Sequence, residues 1–258
     1  MPTRPRKPGE FCWINVLTPD PAAARTFFTK LLGWSYADMG GMGDLIEVQG
    51  QNIGGLFDLK GPNVPPGTPP CIGVMIKVDD ADATAAKVQA LGGKAMPPFD
   101  VMDNGRMAVC FDPNGAPFDV WQPKRQGGTE VDSTLQGAPS WFESLTSDVP
   151  RAVRFYQDLF GWTAEAMEMP DFTYTVFKLG TDYAAGMMAA PPNMGPIPPH
   201  WGTYFTVDDV DARSQLATEL GGKVQIGPMD IPGVGRFAGI TSPQGVMFYI
   251  IKYLPMQQ

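Results

Sequence analysis

The mostly apolar run from Phe11 to Thr18 is predicted to be a strand. Asp20 and Pro21 then supply a helix N-cap and a first-turn proline. Phe27, Phe28, Leu31 and Leu32 fall at helical spacing on one face, and Gly33 ends the helix. Two strands are predicted near 44–49 and 51–59, followed by a proline-rich loop from Gly61 to Pro70. A second strand begins at Cys71, with Ile72, Val74, Ile76 and Val78 on one side. Asp79 or Asp80 caps the next helix, which stops at Gly92-Gly93. Strands near 106–111 and 117–122, joined by the turn Asp112-Pro113-Asn114-Gly115, complete the pattern.

The whole pattern then recurs. The segment from Trp13 to Trp34 matches Trp141 to Trp162 at a constant offset of 128 residues. Val78-Asp79-Asp80 returns as Val207-Asp208-Asp209, Leu91-Gly-Gly-Lys94 as Leu220-Gly-Gly-Lys223, and Gly105-Arg106 as Gly235-Arg236. Features that keep their order with short insertions mark a duplicated domain. The copies are placed at residues 9–124 and 138–254, and 125–137 is expected to be a surface linker, being polar, glycine-containing and without apolar periodicity.

A formal charge of -8 over 258 residues argues against nucleic acid or an anionic membrane as partner, because an acidic surface repels both. A small molecule is the expected partner. No apolar run of signal-peptide or membrane-span length is found, so a cytoplasmic protein is expected. Cys12, Cys71 and Cys110 are odd in number and far apart, which suits buried unpaired thiols.

Asp20-x6-Phe-Phe-x2-Leu-x-Gly, its counterpart Asp148-x6-Phe-Tyr-x2-Leu-x-Gly, the Val-Asp-Asp helix starts and the Asp-Pro-Asn-Gly turn together resemble the vicinal oxygen chelate superfamily of glyoxalases, extradiol dioxygenases and bleomycin resistance proteins. More specifically, the chain is similar to two-domain glyoxalase-like proteins, a group that includes a mycobacterial culture-filtrate antigen. The resemblance implies an α+β fold in which each copy pairs two βαβββ units into a curved sheet with a concave cup. It also implies where a metal would be held: Trp13, Gly73 and Asp119 in the first copy and Trp141, Gly202 and Tyr249 in the second. Only Asp119 among these six could bind a cation, and the chain has a single histidine, His200. No metal and no other cofactor is therefore expected.

Strand parity extends the list of cup residues, since residues two apart face the same way. Trp13, Asn15, Lys77 and Asp119 share the implied ligand face of the first copy, and Trp141, Glu143, Tyr204 and Tyr249 that of the second. Trp13 and Trp141 offer flat walls for an aromatic ligand, or they plug the cups. Glu143 is the acid-base candidate, with His200 as a second proton carrier unless its imidazole only packs in a loop. Arg106 and Arg236 are candidates for binding a ligand carboxylate, with salt bridges to Asp103 or Asp230 as the alternative.

Three functions remain open on the sequence. The first is metal-independent binding of a small aromatic or carbonyl-bearing molecule, for sequestration or acid-base chemistry. The second is a metal-assisted lyase, isomerase or hydroxylase reaction. The third is a non-enzymatic scaffold or antigen with filled cups. A monomer is expected over a homodimer, because the two copies can satisfy each other's interface.

Overall fold

The computed structural model describes residues 4–62, 64–169, 171–191 and 197–255. In the first copy, β1 (Phe11–Thr18), α1 (Pro21–Leu32), β2 (Ser35–Asp38), β3 (Asp44–Val48) and β4 (Gln51–Asp58) form one βαβββ unit. The second unit contains β5 (Cys71–Lys77), α2 (Ala81–Ala90), β6 (Lys94–Ala95), β7 (Phe99–Val101), β8 (Gly105–Phe111) and β9 (Pro117–Pro123). The second copy repeats the plan as β10 (Pro139–Thr146), α3 (Val149–Phe160), β11 (Thr163–Glu168), β12 (Thr173–Leu179) and β13 (Asp182–Ala189). It continues with β14 (His200–Thr206), α4 (Val210–Glu219), β15 (Lys223–Ile231), β16 (Gly235–Thr241) and β17 (Met247–Tyr253). Each copy is one curled sheet, ordered β2-β3-β4-β1-β5-β9-β8-β6 in the first, with β7 also on β8, and β11-β12-β13-β10-β14-β17-β16-β15 in the second.

Local chemistry explains the helix ends. The carboxylates of Asp20 and Asp148 accept from the N–H groups of Ala23 and Arg151, and Gly33 and Gly161 close the helices with φ of 77° and 71°. Asp80, rather than Asp79, caps α2. The short strands β2, β6, β7 and β11 escape the sequence pattern. β11, for instance, exposes most of its residues and so carries no apolar alternation.

The two main cores are shared between the copies. One joins α1 residues Phe27, Phe28 and Leu31 to Phe205, Val210, Phe248 and Ile250 of the second copy. The other joins Phe11, Val88 and Phe118 to Phe155, Tyr156 and Trp162. Rings lock the join: Phe11 stacks on Phe142 at 4.1 Å, and Trp34 meets Phe205 edge-on at 5.2 Å. The helix-bearing faces of the two sheets thus cover one another, leaving the concave faces outside these two cores.

The segment between the copies differs from its expected character. Thr129 and Val131 are buried, the Thr129 N–H donates to the Cys12 carbonyl at 2.8 Å, and Trp34 Nε1 donates to the Gly137 carbonyl at 2.8 Å. Its polar composition hides a packed strap, because the backbone makes the contacts. Gly128 shows the constraint: its φ is +100°, and a Cβ there would lie 2.7 Å from Cys12 Cβ.

Candidate functional site

A bulge between Phe11 and Trp13 turns the parity of β1. Phe11 therefore joins the core between the sheets, while Trp13, Asn15 and Leu17 face the first cup. The corresponding bulge in β10 does the same for Trp141 and Glu143. Cross-strand registers then fix the floors. Asn15 pairs with Gly73 and Met75 with Asp119 in the first cup, as Glu143 pairs with Gly202 and Tyr204 with Tyr249 in the second.

The equivalent floors have diverged. A Cβ built on Gly73 would have no neighbour closer than 3.7 Å, whereas one on Gly202 would lie 2.6 Å from the ring of Tyr249. Tyr249 thus crowds the glycine of the second cup, whereas Asp119 leaves room for a side-chain carbon at the glycine of the first. Burial follows the same division. Trp13, Asn15, Leu17, Gly73 and Asp119 are half-buried, while Glu143, Gly202, Tyr204 and Tyr249 are buried. Tyr204 and Tyr249 stack at 4.4 Å and pack with Ile251, Trp141, Phe237 and Met247 into a small core of their own.

The floor of each cup carries a carboxylate, Asp119 in the first and Glu143 in the second. The Asp119 side chain accepts one hydrogen bond, from Asn15 Nδ2 at 3.4 Å. Desolvation pushes its pKa up to about 7, and the weak Asn15 contact offsets little of this. Glu143 is engaged at both oxygens: Tyr174 donates to Oε2 at 2.7 Å and Tyr204 to Oε1 at 2.9 Å, and the Tyr174 hydroxyl in turn accepts from Trp141 Nε1 at 2.9 Å. Burial raises the Glu143 pKa, and the two phenols partly oppose that rise. Of the two, Asp119 is the less enclosed: it is half-buried with one weak hydrogen bond, while Glu143 is buried with a tyrosine hydroxyl on each oxygen.

Several candidates take other roles. His200 opens β14 opposite Leu145, with Nδ1 2.8 Å from the Pro198 carbonyl, and the hydrogen bonds to Glu143 come from tyrosines instead. Lys77 faces the first cup but spends a donor on the Arg6 carbonyl at 2.7 Å, tying down the N-terminal segment. Arg106 and Arg236 lie on the helix-bearing faces, because Met107 and Phe237 take the concave positions beside them. Arg106 pairs with Asp82 at 2.6 Å and Asp100 at 3.3 Å, and Arg236 with Asp211 at 2.7 Å and Asp230 at 3.1 Å. Asp103 pairs instead with Arg125. Both arginines therefore pin the first turn of a helix to its sheet, and a ligand in a cup does not meet them.

The sequence reading missed Tyr174, Asn52 and Phe57. Tyr174 could have been found from the parity of β12, and Phe57 from the pair Leu17–Phe57 between β1 and β4. The side chain of Phe57 folds over Gly55, where no larger residue would fit. Cys71 shares the parity of Gly73 and is half-buried, unlike buried Cys12 and Cys110. Burial pushes the Cys71 thiol to about 11 and the Cys12 and Cys110 thiols to about 12, so none is nucleophilic at neutral pH.

The chain matches the Glyoxalase/Bleomycin resistance protein/Dioxygenase superfamily twice, over residues 11–120 and 139–250. It belongs to that superfamily. CFP32 of Mycobacterium tuberculosis is 39% identical over 253 residues, 95% of each chain. DnrV of Streptomyces peucetius, an anthracycline biosynthesis protein, is 34% identical over 260 residues, covering 95% of this chain and 94% of its own. Among solved structures, the Mn(II)-bound glyoxalase from Novosphingobium aromaticivorans superposes with a TM-score of 0.67 at 17% identity, covering 96% of this chain and 83% of that one. The 2,2',3-trihydroxybiphenyl 1,2-dioxygenase of Sphingomonas wittichii superposes at 0.66 and 12% identity, covering 95% and 91%. At such identities these superpositions speak to fold alone.

The superfamily's metal does not fit the residues present. Its six expected ligand positions hold two tryptophans, two glycines, a tyrosine and Asp119. Among the described residues, no three His, Cys, Asp or Glu side chains gather to hold a metal ion.

Proposed function

We propose that this glyoxalase-superfamily protein binds a planar aromatic carbonyl compound in its first cup without a metal, with Asp119 as its hydrogen-bonding and proton-carrying group. The observation that carries this reading is the divergence at the paired glycines: room for a side-chain carbon at ordinary contact distance beside Asp119 at Gly73, a tyrosine ring over Gly202. The walls suit a flat ring, since Trp13, Leu17, Phe57 and Met107 are all half-buried, and Lys77, the cation on this face, is turned to the Arg6 carbonyl. A carboxyl group near pH 7 exists in both protonation states. It can donate a hydrogen bond to a carbonyl oxygen, or take a proton from the carbon beside it and return it. DnrV is named for the biosynthesis of anthracyclines, which are planar aromatic carbonyl compounds, and its likeness supports the same ligand class here. Glu143, enclosed by Tyr174 and Tyr204, serves as a buried anchor of the second cup in this reading.

Titration calorimetry of the chelator-treated full chain with emodin, a planar hydroxyanthraquinone, tests the proposal. Binding is expected, and Gly73→Phe, which fills the first cup as Tyr249 fills the second, is expected to abolish it while the melting temperature is retained. Absence of binding, or equal binding by folded Gly73→Phe, overturns it.

A further inference from the structure

Beside the first cup, at the start of β4, lies a second recess with a different lining. A bulge in β4 pairs Asn52 with Glu47 two positions after the Leu45–Gly55 pair, so Asn52 shares the concave face with Gly55 and lies beside the start of β1. Facing it, the strap between the copies crosses the sheet. The Gln126 carbonyl accepts from Trp121 Nε1 at 2.8 Å, and Gly128 rests against Cys12. Between hairpin and strap lies an open groove of about 440 Å³ lined by Gln51, Asn52, Arg125, Gln126, Gly127, Gly128 and Glu130.

The chemistry here is unlike that of the aromatic cup. Three side-chain amides line the groove, each able both to donate and to accept. Asn52 Oδ1 is buried with no hydrogen-bond partner among the described residues, a costly state in a protein interior unless something fills it. The N–H groups of Gly127 and Gly128 donate to no protein acceptor among the described residues. Arg125 is paired with Asp103, and Glu130 lies in the field of Arg6, so neither charge is left to select an ion. Matched donors and acceptors without net charge are what a hydroxyl-rich group requires, because each hydroxyl gives one hydrogen bond and accepts others.

We infer that this compartment holds a polyhydroxylated, sugar-like substituent of the molecule whose planar body lies in the first cup, so that the ligand class is an aryl glycoside. The inference rests on the first cup being a binding site and adds the polar half of the ligand.

Calorimetry of the full chain with emodin and with its O-glucoside separates the two ideas. The glucoside is expected to bind about tenfold more tightly than emodin, about 1.4 kcal/mol. Asn52→Ala and Gln126→Ala should each remove most of that advantage while leaving emodin affinity unchanged. Gln126→Ala keeps the backbone carbonyl that holds Trp121, so at least one variant retains the fold. Emodin binding with no gain from the sugar, or an equal loss for both ligands in the variants, overturns this inference and leaves the first-cup reading standing. Failure of both ligands to bind overturns both.

Discussion

Replacing Asp119 with Asn should make the protein more stable at alkaline pH and leave it unchanged in acid. The folded-state pKa of Asp119 is about 7 against an ordinary 3.8, with desolvation as the dominant cause. A folded value above the unfolded one means that the native state keeps its proton over a range where the unfolded chain has lost it. Stability due to this group is therefore intact below about pH 4, falls as the pH rises toward 7, and has been lost in full beyond it. Each pKa unit is about 1.4 kcal/mol, so ionised Asp119 costs the fold on the order of 4 kcal/mol at about pH 8. Asparagine keeps the shape and the contact with Asn15 while removing the charge. Urea unfolding of wild type and Asp119→Asn at about pH 4 and about pH 8 isolates the effect, because all other titrations are common to both proteins. The expected result is near-identical stability in acid and a variant more stable by about 2–4 kcal/mol in base. A stability difference that does not change with pH would refute the reasoning, for it would mean that the carboxylate titrates as an exposed one.

Glu143→Gln should destabilise the second copy by about 1–3 kcal/mol, because Tyr174 and Tyr204 both donate and glutamine offers only one acceptor oxygen; an unchanged or higher melting temperature would contradict this. Phe11→Ala, at the stack with Phe142, should cost about 3–5 kcal/mol and lower a single calorimetric transition, since the cores are shared; two separate transitions would count against shared cores. Residues 1–131 expressed alone should aggregate or self-associate, and a folded monomer by ultracentrifugation would disagree. Arg106→Gln and Arg236→Gln should leave calorimetric affinity for emodin unchanged, whereas a loss of binding would return them to the ligand site.

Much of the fold was legible because the duplication wrote the same signals twice, Asp20 with Asp148 and Gly33 with Gly161, and because apolar residues alternate along β5. Parity along β1, β9 and β10 also put Trp13, Asp119 and Glu143 on the concave faces. It was not carried through to Arg106 and Arg236, where the neighbours Met107 and Phe237 would have assigned both guanidinium groups to the other face. Other features leave no local trace. Whether the position over a glycine is open or filled depends on a strand more than forty residues away, as with Gly202 and Tyr249. The packing of Gly128 on Cys12 rests on backbone geometry, which polar composition conceals.

The crosswise cores bear on how the copies could diverge after duplication. A substitution on a helix-bearing face must satisfy residues contributed by the other copy, so those surfaces are bound to change in step. The concave faces owe nothing to that partnership. A tyrosine could settle over one glycine while its twin stayed bare, at no cost to the common interior. The join between the copies is therefore a conservative hinge of inheritance, and it left one bowl free to be filled in and the other free to keep its glycine uncrowded.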